Sequence, residues 1–475
     1  MTQPPLWHLS AAETARATRA GEVTAEAVTE AALARMAAVN PALNAVVAPL
    51  DDSARAAARD LDAARARGVP PGPLHGVPLT IKINVDQAGE ATTNGIGALR
   101  DHRATEDAPI VRSLRRAGAV IIGRTNTPEF SFRAETDNPV YGLTRNPWGD
   151  HVSAGGSSGG AGAAVMAGVG ALAHGNDIGG SLRFPAAATG AVTVKPGLGR
   201  VPAWNPSQQA ERGMLAQSMS VQGVLARHVA DLALALPVIC GPDARDPWHV
   251  PMPFAGPPVE GKIRVAFTAN TYEHALHPEV AAALTTAREA LTDAGYLVEE
   301  VETPSAHQAG REGYRALMGE VQALMGPGIR AQGSATVNAI FEEYFRQFPP
   351  FEGAELLQVM ARRSHHAREW SVFLETWPLV LTPFLPQPFY RPLRDTEGEA
   401  GVREVLGAAV WSYSMNFIGL PVGMISSRLS RLPQGDQPTA VQIVGRRWRE
   451  DLILDAMAAI ETRCGRMSDL LFARI

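Results

Sequence analysis

The chain has 475 residues, 45% hydrophobic and 19% charged, with a formal net charge of −5. That length can bury a large core, and the charge excludes the basic footprint of a nucleic-acid binder. Two cysteines, Cys240 and Cys464, cannot build a disulfide framework and fit a reducing, cytoplasmic setting.

Residues 1–22 contain no basic stretch followed by an apolar one, so no secretory leader is expected. No apolar run reaches a membrane-spanning length. The first 70 residues read as helical, with Ser10 and Thr24 as N-caps, Asn40-Pro41 closing the second helix and 51–67 forming a third. Strands and helices then alternate: strand at 77–83, helix at 108–117, strand at 120–123, helix at 158–173 and strand at 191–194. Further on come a strand at 263–267, a helix at 278–294 and a strand at 296–301. Residues 303–375 are mainly helical, the strand pattern returns at 379–382, 421–426 and 439–445, and a last helix covers 450–462. This alternation predicts the α/β class. The expected architecture is one large domain over 1–475, a mixed central sheet covered by helices on both faces. It has helices over 1–70, a core over 71–230 and a helical insertion at about 303–375.

The chemistry concentrates in Ser153–Ala186, which holds two glycine-framed serines, Ser157 and Ser181, 24 residues apart. Only three of the 43 basic residues are lysine: Lys82, Lys195 and Lys262. Arginine keeps its proton in proteins, whereas a buried lysine can lose it, because desolvation disfavours the charged form. Lys82 ends the apolar run 77–81, so by position alone it is either a snorkelling surface residue or a deprotonable base. The helix that follows Ser157 carries five glycines and survives only if it is buried and its backbone is closely approached. Gly179-Gly180 before Ser181 allows successive N–H groups to turn toward one point, as an oxyanion site needs. Ser181 is therefore the expected nucleophile, and it needs a base. The only nearby histidine in sequence, His174, is set apart by its own Gly-Asn turn.

Lys82, Gly155-Gly156-Ser157-Ser158-Gly159-Gly160 and Asp177-x-Gly-Gly-Ser181-x-Arg183-x-Pro185 together resemble the amidase signature family. Thr92-Thr93, Gly123–Asn126, Asn146–Trp148, Lys195-Pro196 and Gly419–Pro421 extend the resemblance over nearly the whole chain. It implies a Ser–cisSer–Lys triad: neutral Lys82 as base, Ser157 as proton relay behind a cis Gly156-Ser157 bond, and Ser181 as nucleophile. It further implies an oxyanion hole from the N–H groups of Ile178, Gly179, Gly180 and Ser181. Ser158, Asp177 and Arg183 would be supports, the last two either paired in that role or a structural ion pair. No metal or organic cofactor is implied, and family members are often homodimers. Three positions depart from common family text: Ile83 after the lysine, Asn176 where Thr or Ser is frequent, and Ala154 before the glycine pair.

Gly155–Gly159 also fits G-x-S-x-G, which would make Ser157 the nucleophile of an α/β-hydrolase-type esterase. That reading leaves Lys82 and Gly179-Gly180-Ser181 without a role. His365-His366, adjacent on a helix, read as solvated residues rather than metal ligands. Eleven aromatics fall between Phe341 and Tyr390, as the core of the insertion or as a lid over the site. A lid of that kind favours apolar or aryl amides, with esters and carbamates (urethanes) open to the same acyl-transfer path. Phe130, Ser131 and Phe132 match a family stretch that borders the nucleophile. The second reading within the family is the glutamine-amidase subunit of a tRNA-dependent amidotransferase, against which an aromatic lid argues.

Overall fold

In the computed structural model, residues 5–208 and 210–474 are described. The first four residues of the stretch read for a leader, and both ends of the 1–475 domain, lie outside them. An 11-stranded mixed sheet runs through the molecule in the order β1-β3-β2-β4-β6-β5-β10-β11-β9-β7-β8. The strands are β1 Val46–Pro49, β2 Pro78–Lys82, β3 Val120–Thr125, β4 Leu172–Asp177, β5 Val192–Lys195 and β6 Val221–Ala226. They continue with β7 Arg264–Phe267, β8 Leu297–Glu300, β9 Leu379–Pro383, β10 Val422–Leu432 and β11 Gly435–Gly445. β3, β2 and β4 run parallel, as do β9, β7 and β8, and the pairings between these blocks are antiparallel. The expected single α/β domain with a mixed sheet is observed.

Strand alternation sorts the core into two faces. Leu79, Ile81, Ile121, Leu379 and Leu381 face the helices 109–116, 229–239, 278–293 and 450–464. Val120 and Ile122 turn the other way, into a cluster with the helix after Ser157. Lys82 is one residue past Ile81, so it leaves the sheet on that opposite face. Because β2 and β4 are parallel, their carboxyl ends lie side by side, which is where open α/β sheets place their ligands.

Ser10 and Thr24 cap their helices, Ser10 in a reciprocal capping box with Glu13. Three expectations are corrected. The second helix runs through Pro41 to Leu43 and stops at Asn44, whose left-handed φ of 50° ends it; β1 then interrupts the helical first 70 residues. The helix expected over 158–173 covers only Gly159–Met166. Gly168 and Gly170 take φ of 82° and 77°, which no helix continues through, and the chain emerges as β4. The 303–375 region is indeed helical, over Ala306–Leu324, Gly326–Gln332, Ala335–Gln347 and Gly353–Thr376. No helix among the described residues is long and apolar enough to cross a membrane.

Candidate active site

Lys82 is fully buried at the end of β2. Its Nζ lies 2.7 Å from Ser157 Oγ and 2.8 Å from Asn176 Oδ1. Burial holds the amine well below its ordinary pKa, and the nearby Asp177 carboxylate only partly opposes this. The shift favours the neutral form of an amine that touches the Ser157 hydroxyl. Asn176, a departure from the family text, supplies the amide oxygen that fixes one side of that amine. Asn84 and Asn176 exchange side-chain hydrogen bonds at 3.3 and 3.0 Å, and Asn84 also donates to Ser131 Oγ at 2.9 Å.

His174 sits on β4 with Nδ1 accepting the Lys82 backbone N–H at 3.4 Å and Nε2 2.9 Å from Gln222 Oε1. Burial pushes its pKa down to about 3, so this imidazole is neutral and committed on both nitrogens.

Ser157 is 1% exposed and follows a cis Gly156-Ser157 peptide. The next helix packs tightly: a Cβ on Gly160 would lie 2.5 Å from the Asn126 backbone nitrogen, and one on Gly162 3.1 Å from Pro185 and Thr189. Ser158 donates its N–H to the Ser181 carbonyl at 3.2 Å, which ties the two serine segments together. Ser181 is half-buried and borders the same cavity as Ser157.

Asp177 and Arg183 form a fully buried bidentate pair at 3.0 Å per bond. Asp177 Oδ1 also accepts the Gly180 N–H at 2.8 Å and the Asn416 amide at 2.9 Å, and Oδ2 accepts the Leu182 N–H at 3.1 Å. Burial works against this carboxylate, but Arg183 and these donors hold its pKa at about 2. One expected oxyanion donor is thereby corrected: the Gly180 N–H is spent on Asp177. The N–H groups of Ile178, Gly179 and Ser181 make no hydrogen bond within the described residues. Ser412 Oγ donates to the Gly179 carbonyl at 2.8 Å, holding that peptide unit.

Phe130, Ser131 and Phe132 do border the cavity, together with Ser157, Ser181, Asn84 and Asn94. Phe130 and Ser131 both have positive φ, 57° and 54°, a conformation costing non-glycine residues energy that functional sites often store. Glu129 fastens this segment to the insertion by accepting the Ser334 N–H at 2.9 Å and its hydroxyl at 2.5 Å. The cavity measures about 440 Å³; Leu317, Val321 and Leu324 of helix 306–324 give it an aliphatic wall, and Glu211, Arg212 and Glu320 also line it. The aromatic region 341–390 is mostly core, not lid. Of it, Tyr344 alone borders a smaller cleft beside Ser181, shared with Tyr314. His365 and His366 also separate: His365 is exposed, whereas His366 is buried against Glu312 and Phe417 because helix 353–376 turns that face inward. No cluster of three or more potential metal ligands occurs among the described residues.

Sequence reasoning missed Asn84, Asn416, Ser412 and Glu129, since each acts through a partner distant in the chain. Asn176 was visible only as a departure from a pattern.

A buried lysine amine against a serine hydroxyl, with a second serine on the same cavity, brings together the groups that acyl transfer without a histidine would need. The class is an α/β hydrolase. The Amidase family model matches residues 27–454, and the chain belongs to that family, the amidase signature enzymes, which hydrolyse amides. It is similar to an indoleacetamide hydrolase of Bradyrhizobium diazoefficiens (45% identity, 98% of this chain and 89% of the relative). It is also similar to an acylamidase of Rhodococcus erythropolis (32%, covering 97% and 96%). Among solved structures, a bacterial aryl acylamidase of the amidase signature family superposes with a TM-score of 0.83 at 26% identity, over 99% of both chains.

Proposed function

We propose that the chain hydrolyses an aryl-substituted carboxamide of the indoleacetamide type to acid and amine, through an acyl-enzyme on Ser181. The observation that carries this is the 2.7 Å contact between the buried Lys82 amine and Ser157 Oγ, at the wall of the cavity that Ser181 also borders. Lys82 takes the Ser157 proton as Ser157 takes that of Ser181, and Ser181 Oγ attacks the amide carbon. The oxyanion is received by the N–H groups of Ile178, Gly179 and Ser181. As the C–N bond breaks, the proton returns from Lys82 through Ser157 to the leaving nitrogen. Water then enters by the same relay and releases the acid.

The aryl preference rests on Phe130, Phe132 and the aliphatic wall, and on the 45% identity to an indoleacetamide hydrolase. Esters and carbamates of the same acyl shape follow this path too, since only the leaving atom differs.

The test is a panel of indoleacetamide, phenylacetamide, an acetanilide, a phenyl ester, an aryl carbamate and glutamine, run with wild type, Ser181→Ala, Ser157→Ala and Lys82→Ala. The expected outcome is turnover of the arylacetamides above glutamine, and loss of activity by roughly 100- to 10,000-fold without the base. Full activity of Lys82→Ala together with an inactive His174→Ala would overturn the relay. Preference for glutamine would overturn the substrate class.

A further inference from the structure

The turn that carries Ser157 is held from one side by the segment 133–136. Thr136 Oγ1 donates to the Gly155 carbonyl at 2.8 Å and accepts the Gly159 N–H at 3.0 Å. A Cβ on Gly156 would lie 2.6 Å from the Glu135 carbonyl oxygen and 2.7 Å from that of Arg133, so the two backbones touch. Glu135 itself is fully buried, and the relay has no use for it as an acid or a base. Its Oε1 accepts the Ser153 hydroxyl at 2.8 Å and the Thr136 N–H at 3.0 Å, and its Oε2 accepts the Leu393 N–H at 2.7 Å. Ser153 Oγ in turn accepts the Gly155 N–H at 2.9 Å. A continuous path of hydrogen bonds therefore runs from the Glu135 carboxylate through Ser153 to the residue two before Ser157.

We propose that Glu135, as its carboxylate, is a positioning residue for the relay serine. Through Ser153 and Gly155 it sets the backbone that presents Ser157 Oγ to Lys82. This rests on the relay reading above.

Three donors converge on two carboxylate oxygens. An ionised group accepts all three with lone pairs to spare, whereas a protonated one places a fourth donor, its O–H, among them. The charged and titratable groups facing Glu135 are Asp395, Arg133 and Tyr390. Asp395 is locked to Arg133 at 2.8 and 2.9 Å, and the Tyr390 hydroxyl donates to the Ala134 carbonyl at 2.5 Å. Burial, and then Asp395, push the Glu135 carboxyl up to about 7, against the pull of Leu393, Ser153 and Arg133. The change of state thus falls near neutral pH. Protonation of Glu135 adds a second cause of acid-side loss to protonation of Lys82.

The experiment measures kcat and KM across the acid limb for wild type, Glu135→Gln and Ser153→Ala, using the amide of the panel that wild type turns over fastest. Glu135→Gln is expected to lower kcat by roughly 10- to 100-fold with KM nearly unchanged, as a misplaced reacting group does. Its acid limb should fall with one proton fewer than that of wild type. A folded Glu135→Gln with wild-type kcat and an unchanged acid limb overturns the inference. Should that variant not fold, Ser153→Ala decides: it cuts the path and keeps the carboxylate, so it must lose kcat, and wild-type kcat overturns the inference. Ser157→Ala separates the two readings. An active Ser157→Ala removes the relay itself, whereas an inactive one beside a wild-type-like Glu135→Gln removes only the role of Glu135.

Discussion

At the scale of the residue, Lys82 shows how burial lowers the pKa of a common cation. Its folded pKa lies well below the ordinary lysine value, so there is an interval of pH below that ordinary value in which the unfolded chain binds a proton that the folded chain does not. Stability from this group is then missing at the low end of that interval and returns as pH rises toward the unfolded pKa. Lys82→Met removes the titration. Denaturant melts at neutral and alkaline pH should show wild type gaining stability across that interval from this position and Lys82→Met gaining less, while activity is lost. Equal gains in both proteins would mean that Lys82 is charged in the folded state. The lysine was legible because 40 of the 43 basic residues are arginine, so a lysine closing an apolar strand stands out. Asn84 and Glu135 were not, because amides and carboxylates are common and their partners include residues 18 to 258 positions away.

At the scale of the element, glycine content tells where backbones meet. The helix 159–166 was legible as buried from its glycines, and the structure gives each a neighbour: a Cβ on Gly160 would press on the Asn126 nitrogen at 2.5 Å and the Ala45 carbonyl at 2.7 Å. Gly328, in helix 326–332, has nothing within 4 Å and an ordinary φ. The same substitution should therefore act with opposite signs. Gly160→Ala should destabilise by about 1–3 kcal/mol through overpacking against backbone that cannot move aside. Gly328→Ala should stabilise by about 0.4–1 kcal/mol by restricting the unfolded chain. Urea titrations of the two proteins check the pair, and a neutral Gly160→Ala would show that β3 and the helix are not in close contact. The same glycine-rich text misled on length. Ala161–Ala173 is apolar throughout, so it has no periodicity to tell a buried helix from a buried strand, and the first two residues of β4 were read as helix.

At the scale of the whole molecule, one buried ion pair joins the two halves of the chain. Asp177 closes β4, and Arg183 opens the helix 183–189 behind Ser181. The guanidinium also donates to the Ser412 carbonyl at 3.0 Å, to Gln442 on β11 at 3.2 Å and to the Asn416 side chain. Arg183→Met keeps the volume and strands Asp177 as a buried, unpaired carboxylate, at a cost of about 3–5 kcal/mol. The pH dependence carries the sign. In wild type the folded pKa of about 2 lies below the ordinary 3.8, so the pair's stabilisation is present above 3.8 and is lost as pH falls through 2. Without Arg183, burial is left to dominate and the folded pKa rises past the unfolded one, so ionisation now opposes folding. The deficit of Arg183→Met relative to wild type should therefore be largest at neutral pH and shrink on acidification. A deficit independent of pH would mean that Arg183 acts by packing rather than by charge. Because the pair is shared between the nucleophile segment and the helix 410–418, the loss should also be global. Activity and the fluorescence change of the tryptophans, Trp411 among them, should disappear at one urea concentration in the variant as in wild type. Two separated transitions would show that the C-terminal half folds as a unit of its own.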